Sequence, residues 1–282
     1  MKIGISGASG QLGQSVLKEL AQRGGGHELV GISRSPGTVR SPAEGRWGDF
    51  DAPQTLSAAF AGLDRLLLIP SADLSPGVRG RQLRGAIDAA VAAGVQHLFL
   101  VSAAGTRKAE VPSLIEPYWT AEQHLIRTAP LWTILRMNYF AESMAQEIQM
   151  SAAMGVLTGL GEERVAYVSR DDLAAAAAGA LLGDGHAGAI YNATGPAAVS
   201  GEERARTASQ VLGKPLGFAV IDEAQLRGGL SQAGLPEIVV NVMADIKKSF
   251  VRGDFDVVTT DIERLSGRPP KSLGQILAAA AV

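Results

Sequence analysis

Gly7-Ala8-Ser9-Gly10-Gln11-Leu12-Gly13 follows the apolar run Met1-Lys2-Ile3-Gly4-Ile5-Ser6 and opens a helical pattern at Leu12, Val16, Leu17 and Leu20. Strand, glycine turn and amphipathic helix in this order make the phosphate-gripping corner of a dinucleotide-binding fold. One glycine permits the tight turn, one lets a pyrophosphate approach the backbone, and one lets the helix pack closely on the sheet. The helix start then offers free N–H groups and the positive end of its dipole to the phosphates. Gly7, Ser9, Gly10, Gln11, Leu12 and Gly13 are therefore candidate cofactor contacts.

Beyond this corner, strand-like and helix-like segments alternate. The apolar runs at 27–33, 65–69, 97–102 and 132–136 and the short segment 45–50 read as strands two to six. Helical patterns at 53–60, in the segment that ends at Ala93-Gly94, and at 117–128 separate them. The pattern predicts an α/β fold: a doubly wound parallel sheet of Rossmann type with six or more strands. Residues 1–150 read as an NADP-binding domain. Residues 151–282 read as a smaller, mainly helical C-terminal lobe that covers the substrate and returns some segments to the sheet. Within it we expect a hairpin-like piece at 155–161, strands at 166–168 and 189–192, and helices at 173–182, 201–212, 222–233, 236–251 and 272–280. Ser169 or Asp171 caps the first of these helices.

The end of the second strand selects the cofactor. An acidic residue there favours NAD, whereas a cation accommodates the 2′-phosphate of NADP. No Asp or Glu follows Ile32, and Arg34 occupies the corner, with Ser33 and Arg40 as further candidates. Arg34 reads alone as a solvated loop charge; beside the glycine turn it reads as an NADPH contact. Asp49, at the end of the third strand, either lies near the adenine or shares with Asp51 the capping of the next helix. Ligands of open α/β sheets bind beyond the carboxyl ends of the strands. By that rule Ile69, Pro70, Ser71, Ser102 and Ala103 are also candidate cofactor neighbours.

Bulk properties narrow the chemistry. The 282 residues are 46% hydrophobic, enough for a substantial core, and the net charge of −2 argues against a nucleic-acid surface. The absence of cysteine excludes disulfides, zinc-thiolate sites, iron–sulfur clusters and a cysteine nucleophile. His27, His97, His124 and His186 lack metal-ligand spacing, so no metal is expected, and His97 reads as a surface or capping residue. Met1-Lys2 runs straight into the first strand, and no apolar run approaches the ~20 residues that cross a bilayer. A cytoplasmic protein without a membrane span is expected.

Ordinary short-chain dehydrogenases place a Tyr, and a Lys four residues later, after the fifth strand; the Lys lowers the tyrosine's pKa. Here Tyr118 stands in a suitable place, but Glu122 occupies the Lys position, and a nearby carboxylate raises a tyrosine's pKa. Tyr118 reads as either a half-buried helix residue or a catalytic group. A carbonyl needs a proton as the alkoxide forms; a quinone or conjugated dye delocalises the incoming electrons and needs less help. Asn138, at the sixth strand's end, is a candidate for hydrogen bonding to substrate, and Tyr139 and Phe140 are candidates for its pocket; the alternatives are a turn residue and core packing.

Several segments together resemble the NmrA-like branch of the atypical short-chain dehydrogenases, and more narrowly bacterial NAD(P)H:quinone oxidoreductases and triphenylmethane dye reductases. They are the glycine turn, Ser33-Arg34, Gly48-Asp49-Phe50, Ala121-Glu122-Gln123, Leu135-Arg136-Met137-Asn138 and Thr260-Asp261-Ile262-Glu263-Arg264-Leu265-Ser266-Gly267-Arg268. The resemblance spans nearly the whole chain. It implies NADPH at the glycine turn, a monomer or homodimer, and a quinone-like or other conjugated small-molecule acceptor reduced without a Tyr/Lys pair. Tyr118 departs from the His common at that position in these relatives. Two alternatives stay open: a non-enzymatic NADP(H)-binding redox sensor, and a natural-product reductase or isomerase on the same fold.

Overall fold

A computed structural model describes residues 1–109 and 113–280. Six parallel strands appear in sequence order before residue 138: β1 (Lys2–Ser6), β2 (Glu28–Ser33), β3 (Glu44–Trp47), β4 (Arg65–Leu68), β5 (His97–Ala103) and β6 (Leu131–Met137). Between them run helices α1 (Gln11–Arg23), α2 (Leu56–Phe60), α3 (Val78–Ala92) and α4 (Glu116–Thr128). The second half contributes α5 (Ala141–Ser151), β7 (Val156–Gly159), β8 (Arg164–Val165), α6 (Arg170–Leu182), β9 (Ala189–Ala193) and β10 (Val199–Ser200). It continues with α7 (Gly201–Leu212), β11 (Gly217–Val220), α8 (Glu223–Gln232), α9 (Glu237–Val251), α10 (Asp261–Ser266) and α11 (Leu273–Ala280).

The main sheet has seven strands in the order β3-β2-β1-β4-β5-β6-β9. Strand order reverses between β1 and β4, so their carboxyl ends flank a crevice. β5 is buried at every position, as a strand covered on both faces must be. One face carries α1 and α6 over Ile3, Ile5, Leu67, Phe99 and Leu135. The other carries α2, α3 and α4 over Val30, Leu66, Leu98 and Ile134. α6 fits against both α1 and α10 because its buried positions are mostly alanine. A Cβ at Gly179 would collide with the Leu265 carbonyl, so that approach requires glycine. A third apolar cluster, with Met144, Leu157, Tyr167, Phe250 and Leu277, ties the second half together. No helix among the described residues is long and apolar enough to cross a membrane.

The second half departs from the sequence reading in its strands. Residues 155–161 do not form a hairpin: β7 pairs in parallel with β11, and Val156 stands opposite Gly217. The strand expected at 166–168 reduces to one bridge between Val168 and Phe140, while the neighbouring β8 pairs antiparallel with β10. These ladders join segments distant in sequence, and a local alternation pattern carries no trace of such partners. Ser169, rather than Asp171, caps α6 by accepting from the Asp172 N–H.

His97 is also not a surface residue. It is buried, stacked on Phe99 with centroids 4.2 Å apart, and its Nε2 lies 2.8 Å from Thr133 Oγ1. The Thr133 hydroxyl donates to the His186 carbonyl, so its oxygen is left to accept from His97. Burial, and then the Arg65 charge, push His97 from 6.5 to about 4. A depressed histidine favours the fold while neutral, so its contribution is complete above pH 6.5 and is lost as pH falls through about 4. Denaturant unfolding across this window should therefore show falling stability, with a shallower fall in His97→Gln; equal slopes would contradict the assignment.

Candidate active site

The crevice at the carboxyl ends of β1, β2 and β4 opens into a recess of about 670 Å³, within the range of small-molecule sites. Its floor is tied across the switch point by the Ile69 N–H, which donates to Ser6 Oγ at 2.8 Å. Gly7, Ser9, Gly10, Gln11, Leu12 and Gly13 line one side. Gly7 turns the chain at φ +63°. A Cβ at Gly13 would collide with the Gly7 carbonyl and stand 2.9 Å from Ala8 Cα, so glycine lets α1 start against the turn. Gly10 meets only the Gly7 carbonyl oxygen, at 3.3 Å from a Cβ position, and otherwise faces open space.

The start of α1 is suited to an anion. The first N–H groups of any helix lack carbonyl partners. In α6, α7 and α8 the side chains of Ser169, Ser200 and Asp222 answer them. α1 starts just after its N-cap Gly10, with no side-chain cap and no acidic residue in its first turn. An anion at this position would complete the helix. These residues fit the dinucleotide that the sequence implies: an open glycine cradle and an uncapped N-terminus.

Arg34, Asp49, Ile69, Pro70 and Ser71 line the same recess. Ser33 Oγ accepts from the Ser35 N–H at 3.0 Å, turning the chain so that Arg34 is exposed. The Arg34 guanidinium makes no ion pair among the described residues. Asp49 does not cap a helix; its Oδ1 accepts from the Asp51 N–H at 3.0 Å. Asp51 does not cap either: it accepts from Gln82, whose amide oxygen accepts from Ser71. This network holds the loop after β4.

The remaining candidates stand outside the recess lining. Ser102 is fully buried and donates to Glu122 Oε1 at 2.6 Å. Ala103 is buried beside it, with its carbonyl accepting from Thr106. Asn138 is buried with both ends of its amide engaged: Nδ2 donates to the Phe255 carbonyl and Oδ1 accepts from the Tyr139 N–H. Tyr139 donates to Glu147 and packs edge-on against Phe250. Phe140 lies under the Arg170 guanidinium, 4.8 Å from its carbon. Tyr118 is buried and accepts from Arg79 Nη1 at 3.2 Å, while Arg79 Nε donates to the Ser71 carbonyl at 3.1 Å.

Glu122 does not act on Tyr118 as the spacing suggested. Arg136 Nε and Nη2 reach its two oxygens at 2.9 and 2.6 Å, closing a bidentate pair that Ser102 completes. Burial raises the Tyr118 pKa, and the nearby Arg79 opposes that rise. Sequence reasoning missed Arg79, Gln82 and Arg170. None stands in a recognisable motif, and each reaches the site through helix packing. Among the described residues no cluster of three or more His, Asp or Glu side chains is arranged to hold a metal.

Quinone oxidoreductase 2 of Escherichia coli is 28% identical over 278 residues, covering 97% of this chain and 96% of its own. An NADPH-dependent quinone oxidoreductase from Escherichia coli, solved as a complex with NADPH, superposes with a TM-score of 0.93 at 27% identity, over 99% of this chain and all of that one. The Citrobacter triphenylmethane reductase complexed with NADP(H) matches with a TM-score of 0.91 at 25% identity over the whole of both chains. A family model described as NAD(P)H-binding matches residues 7–183, which include the glycine turn, Arg34 and Arg170. The chain belongs to this NAD(P)H-binding family.

Proposed function

We propose that this NAD(P)H-binding oxidoreductase uses NADPH and reduces a quinone or similarly conjugated small molecule without a Tyr/Lys acid–base pair. The observation that carries the cofactor choice is Arg34: an exposed guanidinium without an ion pair among the described residues, lining the same recess as the uncapped start of α1. A dinucleotide whose phosphates meet the α1 N–H groups has its adenosine end at the close of β2, where a cation favours the 2′-phosphate. The acceptor class is supported by two relatives, one named for quinones and one for triphenylmethane dyes.

NADPH, when bound, supplies the hydride. The chain supplies position and surroundings. Glu122 is neutralised by Arg136, so the place of a catalytic lysine is held by a closed ion pair. Tyr118 accepts from Arg79, which leaves its own proton free, and burial keeps the phenol protonated. The Asn138 side-chain amide ties the Tyr139 backbone, just beyond β6, to the Phe255 carbonyl. A conjugated acceptor that delocalises charge is the substrate this arrangement suits, since proximity to the hydride rather than proton delivery limits it.

Three measurements test the reading. The protein should accelerate oxidation of NADPH by a benzoquinone or a triphenylmethane dye; NADPH binding without turnover across a panel of both would favour the redox sensor instead. Arg34→Asp should weaken NADPH by about 10-fold or more, the scale of a charge-assisted contact, and leave NADH nearly unchanged. Equal losses would remove Arg34 from the 2′-phosphate. Tyr118→Phe should slow quinone reduction by much less than the roughly 100-fold typical of a lost general acid. A larger loss at unchanged cofactor affinity would instead support a natural-product reductase or isomerase.

A further inference from the structure

Arg170 is a cation that the second half of the chain brings to the recess. It is the first residue of α6, beside Asp171, whose Oδ1 accepts from Ser15 of α1 at 3.3 Å. Its backbone N–H donates to Glu142 Oε1 at 2.9 Å. Its guanidinium is held far less tightly. Nη1 forms an ion pair with Glu142 Oε2 at 3.6 Å, longer than a hydrogen bond, and Nη2 donates a long hydrogen bond to Ser143 Oγ at 3.4 Å. Glu142 Oε2 is itself buried without a hydrogen bond. One face of the guanidinium is stacked on Phe140. An arginine fixed by its face, with its N–H edge held only by one long ion pair and one long hydrogen bond, can turn that edge to bidentate recognition of a phosphate. Arg136 is the contrast: Glu122 occupies both arms of its fork.

The sheet order gives Arg170 its side. Arg34 follows β2, next to β1 on one flank; Phe140, under Arg170, follows β6 on the other flank. A ligand lying across the glycine turn with its 2′-phosphate at Arg34 therefore extends towards Arg170 with its other half. We propose that Arg170 binds the diphosphate of NADPH from its nicotinamide side, opposite the glycine turn. The dinucleotide is then gripped by both halves of the chain. The proposal rests on the NADPH reading above.

Calorimetric titration of the intact protein with NADPH and with 2′,5′-ADP, which keeps the adenosine half and its 2′-phosphate, tests it without turnover. Arg170→Gln should weaken NADPH about 10-fold and 2′,5′-ADP by less than about 2-fold, with Arg170→Lys recovering part of the loss. Arg34→Asp should weaken both ligands, separating the two cations. Unchanged NADPH affinity in Arg170→Gln, or equal loss for both ligands, would overturn the proposal. If the unsubstituted protein bound neither ligand, the NADPH reading itself would fall and take this assignment with it; a melting curve of each variant excludes unfolding as the cause of lost affinity.

Discussion

α1 can begin directly over the Gly7 carbonyl only because Gly13 carries no side chain. That close approach sets the rest of the crevice. It points the uncapped first turn of α1 across the carboxyl end of β1, at the place where strand order reverses. The Ile69 N–H, anchored on Ser6, holds the end of β4 opposite. A larger residue at position 13 would push the helix away and leave its free N–H groups aimed elsewhere. The open start of α1 is thus a property of backbone packing more than of any side chain.

Charged side chains divide into two groups around this frame. Some are closed on each other. Glu122, Arg136 and Ser102 form one such unit, and Arg204, Glu163 and Tyr167 form another in the core of the second half. Such buried pairs add little net stability, yet removing one partner costs several kcal/mol. They fix strand and helix ends in one arrangement. Arg34 and Arg170 form the second group: both line the recess, Arg34 without an ion pair among the described residues and Arg170 held only by a long pair with Glu142. A protein satisfies its interior charges where it can; cations left open or only loosely paired beside an uncapped helix are the ones available to a polyanionic ligand.

The local chemistry of many elements was readable from the chain. The 3.6-residue spacing of Leu12, Val16 and Leu20 predicted α1, and the unbroken apolar run at 97–102 predicted a strand buried on both faces. Ser169 was one of two readable candidate caps, and β9 was visible as a strand, although its place at the sheet edge was not. β7 and β11 were not legible as partners, because a short strand pairs with whatever the fold brings beside it. The same limit applied to the site. Counting four residues from Tyr118 to Glu122 suggested that the two interact, but Glu122 turns to Arg136 and Arg79 arrives at Tyr118 from α3.

By itself, the sequence determined the α/β class, the glycine cradle and the cation at the β2 corner. Each is written in contiguous residues, and their geometry follows from local backbone sterics and strand-to-helix order. Only the tertiary structure decided which side chains remain open to the recess. Arg170 comes from a helix more than a hundred residues beyond Arg34, while Ser102 and Asn138, at strand ends as expected, are consumed by internal hydrogen bonds. Whether a polar group is free or spent depends on partners brought together by packing, and residue spacing along the chain does not encode those partners.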